Sequence, residues 1–523
     1  MNEGQTEQTE VLVVGGGVTG LSAALFLRAH GVRVVVAERH RGTSIHPRAW
    51  GWYSRTLEQL RWAGVADAVL AEAQGYSEHR LQAKVESLAG REISSTKLPA
   101  PEDLSDLTPA PQISLGQNRV EAKIREGAEG KGADLRFHTE VVSVEQDANG
   151  VTALLRHRET GEERTVRARY AIAADGPRSS LREALGIGRT GSGTLRHQLS
   201  ILFQADMTGP LAGRKFSLCQ VENDLVSGVL GINETGQKGT LITTYHPEQG
   251  DGAESYDKER ARELVRSAIG ADTDIFVADV LPWEMAALVA ERLRSGRIFI
   301  AGDAAHVVPP VGGFGANTGI HDVHNLAWKL AKVLRGEAGE ELLDTYEAER
   351  LPVARRTVEQ AQLRLAFRAG YADDDQKARL RDPLAVTLGH TYGDGLPEFI
   401  EPQDLAAEPG SRAPHLPVLV DGEEKSLLDL YGDAFVLLTG AESAEWPDAA
   451  TAAGRTLGVR VDAYRVGIDV KETTAAWGTV YTAPENGAVL VRPDGFVAWR
   501  SAGAAPGTHA AELTAALRGA LAR

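Results

Sequence analysis

The feature that most constrains this chain is a glycine-rich turn between two short apolar runs near its N-terminus. The run Val11–Val14 leads directly into the turn GGGVTG at positions 15–20, and a helical pattern continues to Gly31. A second β-branched run, Val32–Ala37, ends at Glu38. A strand, a GxGxxG turn, a helix, a strand and an acid in this order predict a dinucleotide-binding unit built on a parallel sheet.

The residues of this turn have separate predicted tasks. Gly15 permits the tight turn, Gly17 lets the backbone approach a pyrophosphate, and Gly20 lets the helix pack against the strand. The N–H groups at the helix N-terminus, at Val18 and Thr19, favour a phosphate.

Glu38 narrows the choice of nucleotide. A carboxylate there can accept hydrogen bonds from a ribose diol, which favours FAD or NAD over NADP. A second GxGxxG match at 186–191 follows the helical stretch Ser179–Leu185 instead of a strand. We therefore expect that match to be a helix C-cap and a loop.

Charge and composition exclude several function classes. The 523 residues contain 56 basic and 72 acidic side chains, and the net charge of −16 argues against nucleic-acid partners. Glycines interrupt the apolar segment Val11–Leu27, so it is not a membrane span. Met1–Glu10 is acidic and polar, without a signal-peptide pattern, and we expect a cytoplasmic protein that binds no membrane. The single cysteine, Cys219, excludes an intramolecular disulfide and is expected in the core.

Positive charge is concentrated beside the glycine turn. Seven arginines and two acids lie between Arg28 and Arg61, a local balance of +5. Guanidinium groups recognise phosphates well, so this segment suits an anionic ligand.

Two later segments repeat the change from strand to turn. The apolar run 169–174 leads into Asp175-Gly176, with Ser179 as a candidate helix cap. The run 297–301 leads into Gly302-Asp303, followed by a loop at 309–319 that is rich in proline and glycine.

A long helix is expected after that loop, from Ile320 to about Leu334. N–H groups at its N-terminus can stabilise negative charge on a ring, such as that of a reduced flavin.

The three motifs in this order resemble those of the class A flavoprotein monooxygenases, the para-hydroxybenzoate hydroxylase family. The resemblance covers Val11 to Arg350, and Pro47–Glu58 and Gly410–His415 are similar to segments of bacterial aromatic polyketide hydroxylases. It implies bound FAD, NAD(P)H as a transient reductant, and O2 as co-substrate. The implied reaction is hydroxylation of an aromatic polyketide through a flavin C4a-hydroperoxide, in a pocket that excludes water.

The resemblance also implies a set of cofactor-binding residues. Arg39 lies beside the adenosine, Arg48 near the flavin and its reductant, Gln117 at the ribityl chain, and Asp303 at the ribityl hydroxyls. The full implied set is Gly15, Gly17, Val18, Thr19, Gly20, Glu38, Arg39, Arg48, Gln117, Asp175, Asp303, Pro310, Gly313, Gly315, Ala316 and Asn317. His306 is expected to support this site instead of acting as a base, and no general acid, general base or metal site is assigned.

The expected fold is α/β plus β, in three domains. A discontinuous Rossmann-like FAD-binding domain occupies 1–72, 98–185 and 284–395. A β-sheet substrate domain occupies 73–97 and 186–283, and a thioredoxin-like domain without cysteines occupies 405–523. Candidate substrate-pocket residues are Trp52, Phe203, Tyr245, Trp283 and Met285.

Three functions stay open at this point. The first is aromatic hydroxylation. The second is a Baeyer–Villiger or ring-opening oxygenation on the same scaffold, and the third is a non-catalytic flavoprotein that shields an intermediate. A homo-oligomer is compatible with each of them.

Overall fold

The protein is described from a computed structural model that covers residues 6–100, 102–393 and 395–523. The first five residues of the predicted domain 1–72, and positions 101 and 394, lie outside the described residues. The helices are α1 (Val18–Ala29), α2 (Ser54–Trp62), α3 (Ala66–Ala73), α4 (Gln117–Gly130), α5 (Ser180–Ala184), α6 (Thr208–Leu211), α7 (Lys258–Ile269), α8 (Phe314–Leu334), α9 (Asp344–Arg368), α10 (Asp374–Arg379), α11 (Pro383–Leu388), α12 (Trp446–Leu457), α13 (Trp477–Val480) and α14 (His509–Ala520).

A six-stranded sheet carries the glycine turn. Its order is β18 (Arg294–Ser295), β19 (Ile298–Ile300), β12 (Tyr170–Ala173), β2 (Val11–Val14), β3 (Val34–Ala37) and β8 (Asp134–Arg136), parallel except for β18. The central strands are apolar on both faces because helices cover the sheet, and α1 packs between α4 and α8. The carboxyl ends of β2, β12 and β19 therefore meet at one edge, and the three predicted motifs leave the sheet side by side.

An eight-stranded sheet forms a second layer. Its order is β20 (His306–Val307), β17 (Phe276–Ala290), β13 (Arg189–Gln204), β16 (Lys238–Tyr245), β15 (Ser227–Ile232), β14 (Phe216–Glu222), β5 (Leu81–Val85) and β6 (Glu92–Lys97). Strands from the predicted substrate segments 73–97 and 186–283 thus lie in one sheet, and β17 continues past residue 283. Helix α7 packs on one face over a separate apolar core that contains Cys219.

The second GxGxxG match is partly different from the expectation. Gly186 follows α5 in a left-handed conformation, as expected for a C-cap. The expected loop is wrong, because β13 already begins at Arg189. Gly191 belongs to that strand, where an added Cβ would lie 2.2 Å from the carbonyl oxygen of Ala287 on β17. The close approach of β13 and β17 requires this glycine. The second GxGxxG match is therefore not a nucleotide-binding turn.

Two smaller sheets complete the main body. One has the order β1 (Glu7–Gln8), β11 (Glu163–Ala168), β10 (Gly150–His157) and β9 (Thr139–Asp147), and the other pairs β4 (Gly51–Trp52) with β7 (Ile113–Ser114).

The C-terminal region is an α/β unit with two sheets. One has the order β24 (Val461–Arg465), β23 (Phe435–Thr439), β26 (Ala488–Val491) and β27 (Val497–Ser501), and the other β22 (Glu423–Ser426), β21 (Pro417–Val420) and β25 (Lys471–Glu472). A tight turn joins the antiparallel strands β26 and β27, and in it Gly495 has φ +78°. The likeness to thioredoxin stays a prediction.

We expect Gly20→Ala to destabilise the fold. A Cβ at Gly20 would lie 1.9 Å from the carbonyl oxygen of Gly15, so α1 must move away from β2. Overpacking of this kind costs about 1–3 kcal/mol or more. Thermal unfolding should show a lower Tm than that of a Gly130→Ala control, where an added Cβ meets no atom within 4 Å. Equal melting temperatures would contradict the packing role of Gly20.

Candidate active site

The three glycines of the turn differ in what surrounds them. Gly15 has φ +103°, and an added Cβ would lie 2.3 Å from the carbonyl oxygen of Ala174 in the neighbouring turn. Gly20 is in similarly close contact with Gly15. Gly17, in contrast, has an extended backbone, and a Cβ there would meet no atom within 4 Å. The fold itself therefore requires Gly15 and Gly20, whereas the space at Gly17 is open to a ligand.

The acid at the end of β3 reaches back to this turn. Glu38 is buried, and its Oε2 accepts a hydrogen bond from the Gly16 N–H at 2.6 Å. Its Oε1 accepts from the His40 N–H at 2.7 Å. The side chain of Arg39 is exposed at the same place. The carboxylate thus lies beside the turn, where the sequence predicts a ribose.

The first residues of α1 are more enclosed than expected. The Val18 N–H, predicted to be free for a phosphate, donates to Glu121 Oε1 at 3.1 Å. Thr19 is buried against the later motif, because Cβ atoms at Gly302 or Gly319 would lie 2.4 and 2.5 Å from its Oγ1. The Thr19 side chain therefore serves helix packing.

Glu121 is a buried carboxylate that the sequence analysis missed. It accepts hydrogen bonds from the Gln117 side chain at 2.6 Å and from the Ser44 N–H at 3.1 Å. Burial raises its pKa, although these donors and the charge of Arg48 oppose that effect. The Gln–Glu spacing of four residues on one helix was an available signal.

Gln117 holds the segment that carries Arg48. Its backbone N–H donates to the Ala49 carbonyl at 2.8 Å, and its side-chain oxygen accepts from the Ala49 N–H at 3.3 Å. The Arg48 side chain is exposed, and its charge lowers the pKa values of both Glu121 and Asp303 against the effect of burial. The charge of Arg48 therefore acts on two carboxylates, one on α4 and one in the turn after β19.

Asp303 stands on a tightly held turn after β19. Asp322 accepts hydrogen bonds from the Gly302 N–H at 3.2 Å and from His306 Nε2 at 2.6 Å. Asp303 itself is open to the cleft, yet the protein around it raises its pKa by burial. His306 is fully buried against Asp322, which agrees with the expected supporting role.

Asp175 supports its own turn. Its Oδ2 accepts from the Leu181 N–H at 3.3 Å, and Ser179 caps α5 through the Arg182 N–H at 3.0 Å, as predicted. These contacts are structural, and the backbone of Asp175 lies against the GxGxxG turn, because a Cβ at Gly15 would lie 3.0 Å from the Asp175 Cα.

Helix α8 begins earlier than the sequence indicated. The expected start was Ile320, but the helix starts at Phe314, so Gly315, Ala316 and Asn317 form its first turn. The glycines concealed this start from pattern analysis, since helix interiors disfavour glycine. Pro310 and Gly313 form the preceding turn, where the Gly313 N–H donates to the Pro310 carbonyl at 3.1 Å.

Asn317 fastens the Gly-rich loop to the segment 51–56. Its Nδ2 donates to the carbonyls of Gly51 at 3.0 Å and Gly313 at 2.8 Å. Its Oδ1 accepts from the Tyr53 N–H at 3.1 Å and from Thr56 Oγ1 at 2.6 Å. We call this set of bonds the Asn317 clip. The sequence placed Asn317 in the implied cofactor-binding set but gave no sign of these side-chain bonds.

The eight-stranded sheet turns one face towards the segment 46–50, and we call it the cleft face. Asp279 Oδ2 lies 2.9 Å from His46 Nε2, and a Cβ at Gly231 would lie 3.7 Å from the Trp50 ring. Register places Asp279, Leu202, Thr240 and Gly231 in one row across four strands. Paired residues share a face, so this row marks the cleft face. Neighbouring rows on it contain Ser200, Ile242, Val229 and Leu281, and Gln198, Thr244 and Trp283.

Register separates the five predicted pocket residues. Side chains alternate between the two faces along β17, and the register places Trp283 and Met285 on the cleft face. There, Trp283 Nε1 donates a hydrogen bond to Ser200 Oγ at 2.9 Å. The predictions for Phe203 and Tyr245 are wrong, because both side chains lie on the opposite face of the sheet. Phe203 lies in the apolar core beneath α7, and Tyr245 lies in a smaller core with Tyr256. Trp52 is also wrong, since it is 1% exposed and its Nε1 donates to the Leu115 carbonyl.

The residues present fit a dinucleotide with a flavin ring. The open space at Gly17, the N-terminus of α1 and the carboxylate of Glu38 lie together at one end. Asp303 and the N-terminus of α8 lie further along the same edge, beside the cleft face.

No helix of the described residues is long and apolar enough to cross a membrane.

Comparison with known proteins decides the family. The family described as "FAD binding domain" matches residues 8–361, and "Aromatic-ring hydroxylase, C-terminal" matches residues 406–523. The chain belongs to the class A flavoprotein monooxygenases. It is therefore an FAD-dependent monooxygenase, and the cofactor predicted from the three motifs is confirmed.

Several relatives match over nearly the whole chain. A 4-methyl-5-nitrocatechol 5-monooxygenase from Burkholderia sp is 42% identical, covering 99% of this chain and 98% of the relative. A tetracenomycin A2 monooxygenase-dioxygenase from Streptomyces glaucescens is 41% identical, with the same coverage. The crystal structure of a ternary complex of aklavinone-11 hydroxylase with FAD and aklavinone has a TM-score of 0.89 and 37% identity, covering 100% of both chains.

We expect Gly17→Val to abolish FAD retention while the fold survives. The extended backbone at Gly17 accepts a β-branched residue, and the new side chain would occupy the open space at the turn. Purified protein should be colourless and should melt cooperatively. Gly209→Val, at an exposed position of α6 where an added Cβ meets no atom within 4 Å, serves as the flavin-binding control. Normal flavin content in Gly17→Val would refute the placement of the pyrophosphate.

Proposed function

We propose that this monooxygenase hydroxylates an electron-rich ring of a planar polycyclic aromatic substrate of the polyketide class. The cleft face carries this proposal. Apolar side chains (Leu202, Val229, Ile242 and Leu281) alternate there with groups that form hydrogen bonds (Ser200, Thr240, Gln198 and Thr244). A broad wall of this composition suits a flat ring system with several hydroxyl or carbonyl groups.

The chain's own residues bind, orient and enclose the substrate. The Ser200 hydroxyl oxygen accepts a hydrogen bond from Trp283 Nε1. The Ser200 hydroxyl proton is therefore free to form a hydrogen bond to a substrate oxygen. The Asn317 clip fixes the Gly-rich loop to the segment 51–56. Bound FAD, reduced by NAD(P)H, supplies the activation of O2. The protein supplies orientation and a site from which water is excluded.

Cofactor contacts follow from the same geometry. We propose that the backbone of Gly15–Gly17, with Glu38 and Arg39, holds the ADP part of FAD. Gln117 and Asp303 lie along the ribityl chain, and Gly313–Asn317 lie at the ring. Arg48, exposed between Glu121 and Asp303, is positioned to attract the pyrophosphate or the reductant.

A smaller substrate is the second candidate. A relative that covers nearly the whole chain is named for a nitrocatechol, which has a single ring. Turnover distinguishes the two classes. NAD(P)H oxidation should be stimulated by tetracyclic or pentacyclic phenols, with one oxygen added to the ring and little H2O2 released. NMR of the product separates hydroxylation from lactone formation or ring opening. Stimulation by nitrocatechols alone would reject the polyketide assignment.

A larger side chain on the cleft face should lower the activity on large substrates more than the activity on small ones. We expect Val229→Trp to lower kcat/KM for polycyclic phenols by about tenfold or more, because the indole occupies pocket volume. Single-ring phenols should lose much less. Leu225→Trp, at a side chain that is 66% exposed on the neighbouring loop, is the matched control. Equal losses for large and small substrates would contradict the position of the substrate.

A further inference from the structure

The tail, residues 405–523, contacts the main body through buried charges. Glu58 on α2 is buried, and Arg412 of the tail donates to it through two guanidinium nitrogens. Arg55 Nη1 also donates to Glu58, at 2.9 Å, and Thr108 Oγ1 at 2.7 Å. Burial alone would raise the pKa of Glu58, but the charges of Arg412 and Arg55 prevail and lower it to about 2. Glu58 is therefore a charged group whose partners include the tail.

A second tail contact reaches α8 and α2 together. Asp494 lies in the turn between β26 and β27 and is 3% exposed. Its Oδ2 accepts from Trp328 Nε1 at 3.1 Å and from Asn325 Nδ2 at 3.3 Å, both on α8. Its backbone carbonyl accepts from Arg55 Nη2 on α2 at 2.5 Å. One turn of the tail thus holds two helices of the main body.

A third contact supports the second one. Arg492 donates to Asp494 Oδ1 at 3.0 Å and to both oxygens of Glu349 on α9, at 2.6 and 2.8 Å. Lys329 on α8 donates to Glu349 at 2.7 Å and is fully buried. Glu58 and Glu349 thus each have a second buried ion-pair partner in the tail, besides Arg55 and Lys329 of the main body.

The two helices that the tail holds are the ones that form the Asn317 clip. Thr56, which donates to Asn317, precedes Glu58 by two residues on the nine-residue helix α2. Asn317 lies in the first turn of α8, and Asn325 and Trp328 lie further along the same helix. A displacement of either helix would change the distance between Thr56 and Asn317.

We propose that the tail is a positioning element of the flavin site, acting through Arg412 and Asp494 on the Asn317 clip. These residues touch neither the cleft face nor the GxGxxG turn. They fix α2 against α8, and the clip then fixes the carbonyls of Gly51 and Gly313 at the predicted ring position. A structural unit without cysteines thereby contributes to cofactor geometry.

Arg412→Met tests the proposal in the full-length protein. Removal of one partner of a buried ion pair leaves the other charge poorly compensated, so α2 should shift. We expect the Kd for FAD to rise about tenfold, within the range for mutations that act through a packed network. The absorption spectrum of the bound flavin should also change, because the loop that contacts the ring moves. Fluorescence titration and visible spectroscopy measure the two effects.

A rescue variant and a control separate positioning from general stability. Glu58→Gln combined with Arg412→Met removes both charges of this pair and should restore part of the FAD affinity, since the new amide oxygen can still accept a hydrogen bond from Arg55, which also keeps the Asp494 carbonyl. Arg460→Met removes an exposed tail ion pair with Asp462 and should leave FAD binding unchanged. If Arg412→Met does not fold, Arg412→Lys should show a smaller change in the same direction. A lower Tm with unchanged FAD affinity and spectrum in the folded variant would overturn the proposal.

The defect should depend on pH in a defined direction. Without Arg412, the pKa of Glu58 should rise from its lowered value, because only Arg55 and Thr108 still oppose burial, so lower pH favours protonation of the carboxyl group and relieves its partly compensated charge. The ratio of variant to wild-type Kd should therefore fall from about pH 8 to about pH 5.5. The other groups near Glu58 are Arg55, which stays charged, and His324 and His415, whose pKa values burial lowers. A ratio that is constant or rises as pH falls would contradict the role of Glu58.

Discussion

Close contact between backbones at the carboxyl edge of the parallel sheet is the constraint on which this structure depends. Gly20 lies against Gly15, and Gly15 lies against Ala174 in the next turn, with no space for a side chain between them. Gly302 and Gly319 approach Thr19 in the same way. Because these contacts bring three turns from distant parts of the chain together, one continuous edge can hold an extended cofactor.

The sequence predicted this edge well, because each motif is local. Val11–Val14, the glycine turn and the Gly302-Asp303 turn each contain their own strand, turn and helix signals. The limits of the predictions appear where distant segments meet. Asn317 forms its clip with residues more than 260 positions away, and Glu121 contacts Val18 from 103 positions away. No periodicity in the sequence records such pairings.

The substrate side shows the same limit more sharply. Phe203 and Leu202 are adjacent in the chain, yet they lie on opposite faces of the sheet because side chains alternate along a strand. The presence of aromatic residues in these strands therefore could not tell which side chains lie on the cleft face. The pairing register of the strands gives that face. Trp52 was misplaced for a related reason: a large apolar ring near the cofactor segment is equally suited to the core, and its hydrogen bond to Leu115 holds it there. Trp283 and Met285 lie on the cleft face, although no signal in the sequence distinguished them from the other candidates, and their contact with substrate stays a prediction.

The order of strands in the parallel sheet has a consequence for synthesis of the protein. Strand β2 ends at Val14, its neighbour β12 ends at Ala173, and β19 ends at Ile300. Closing such long segments has an entropic cost that only the later contacts offset. Asp322, which holds the last turn, is made after β19. A ribosome must therefore complete more than half of the chain before the cofactor edge can close, so the nascent protein can bind FAD only after that point of translation.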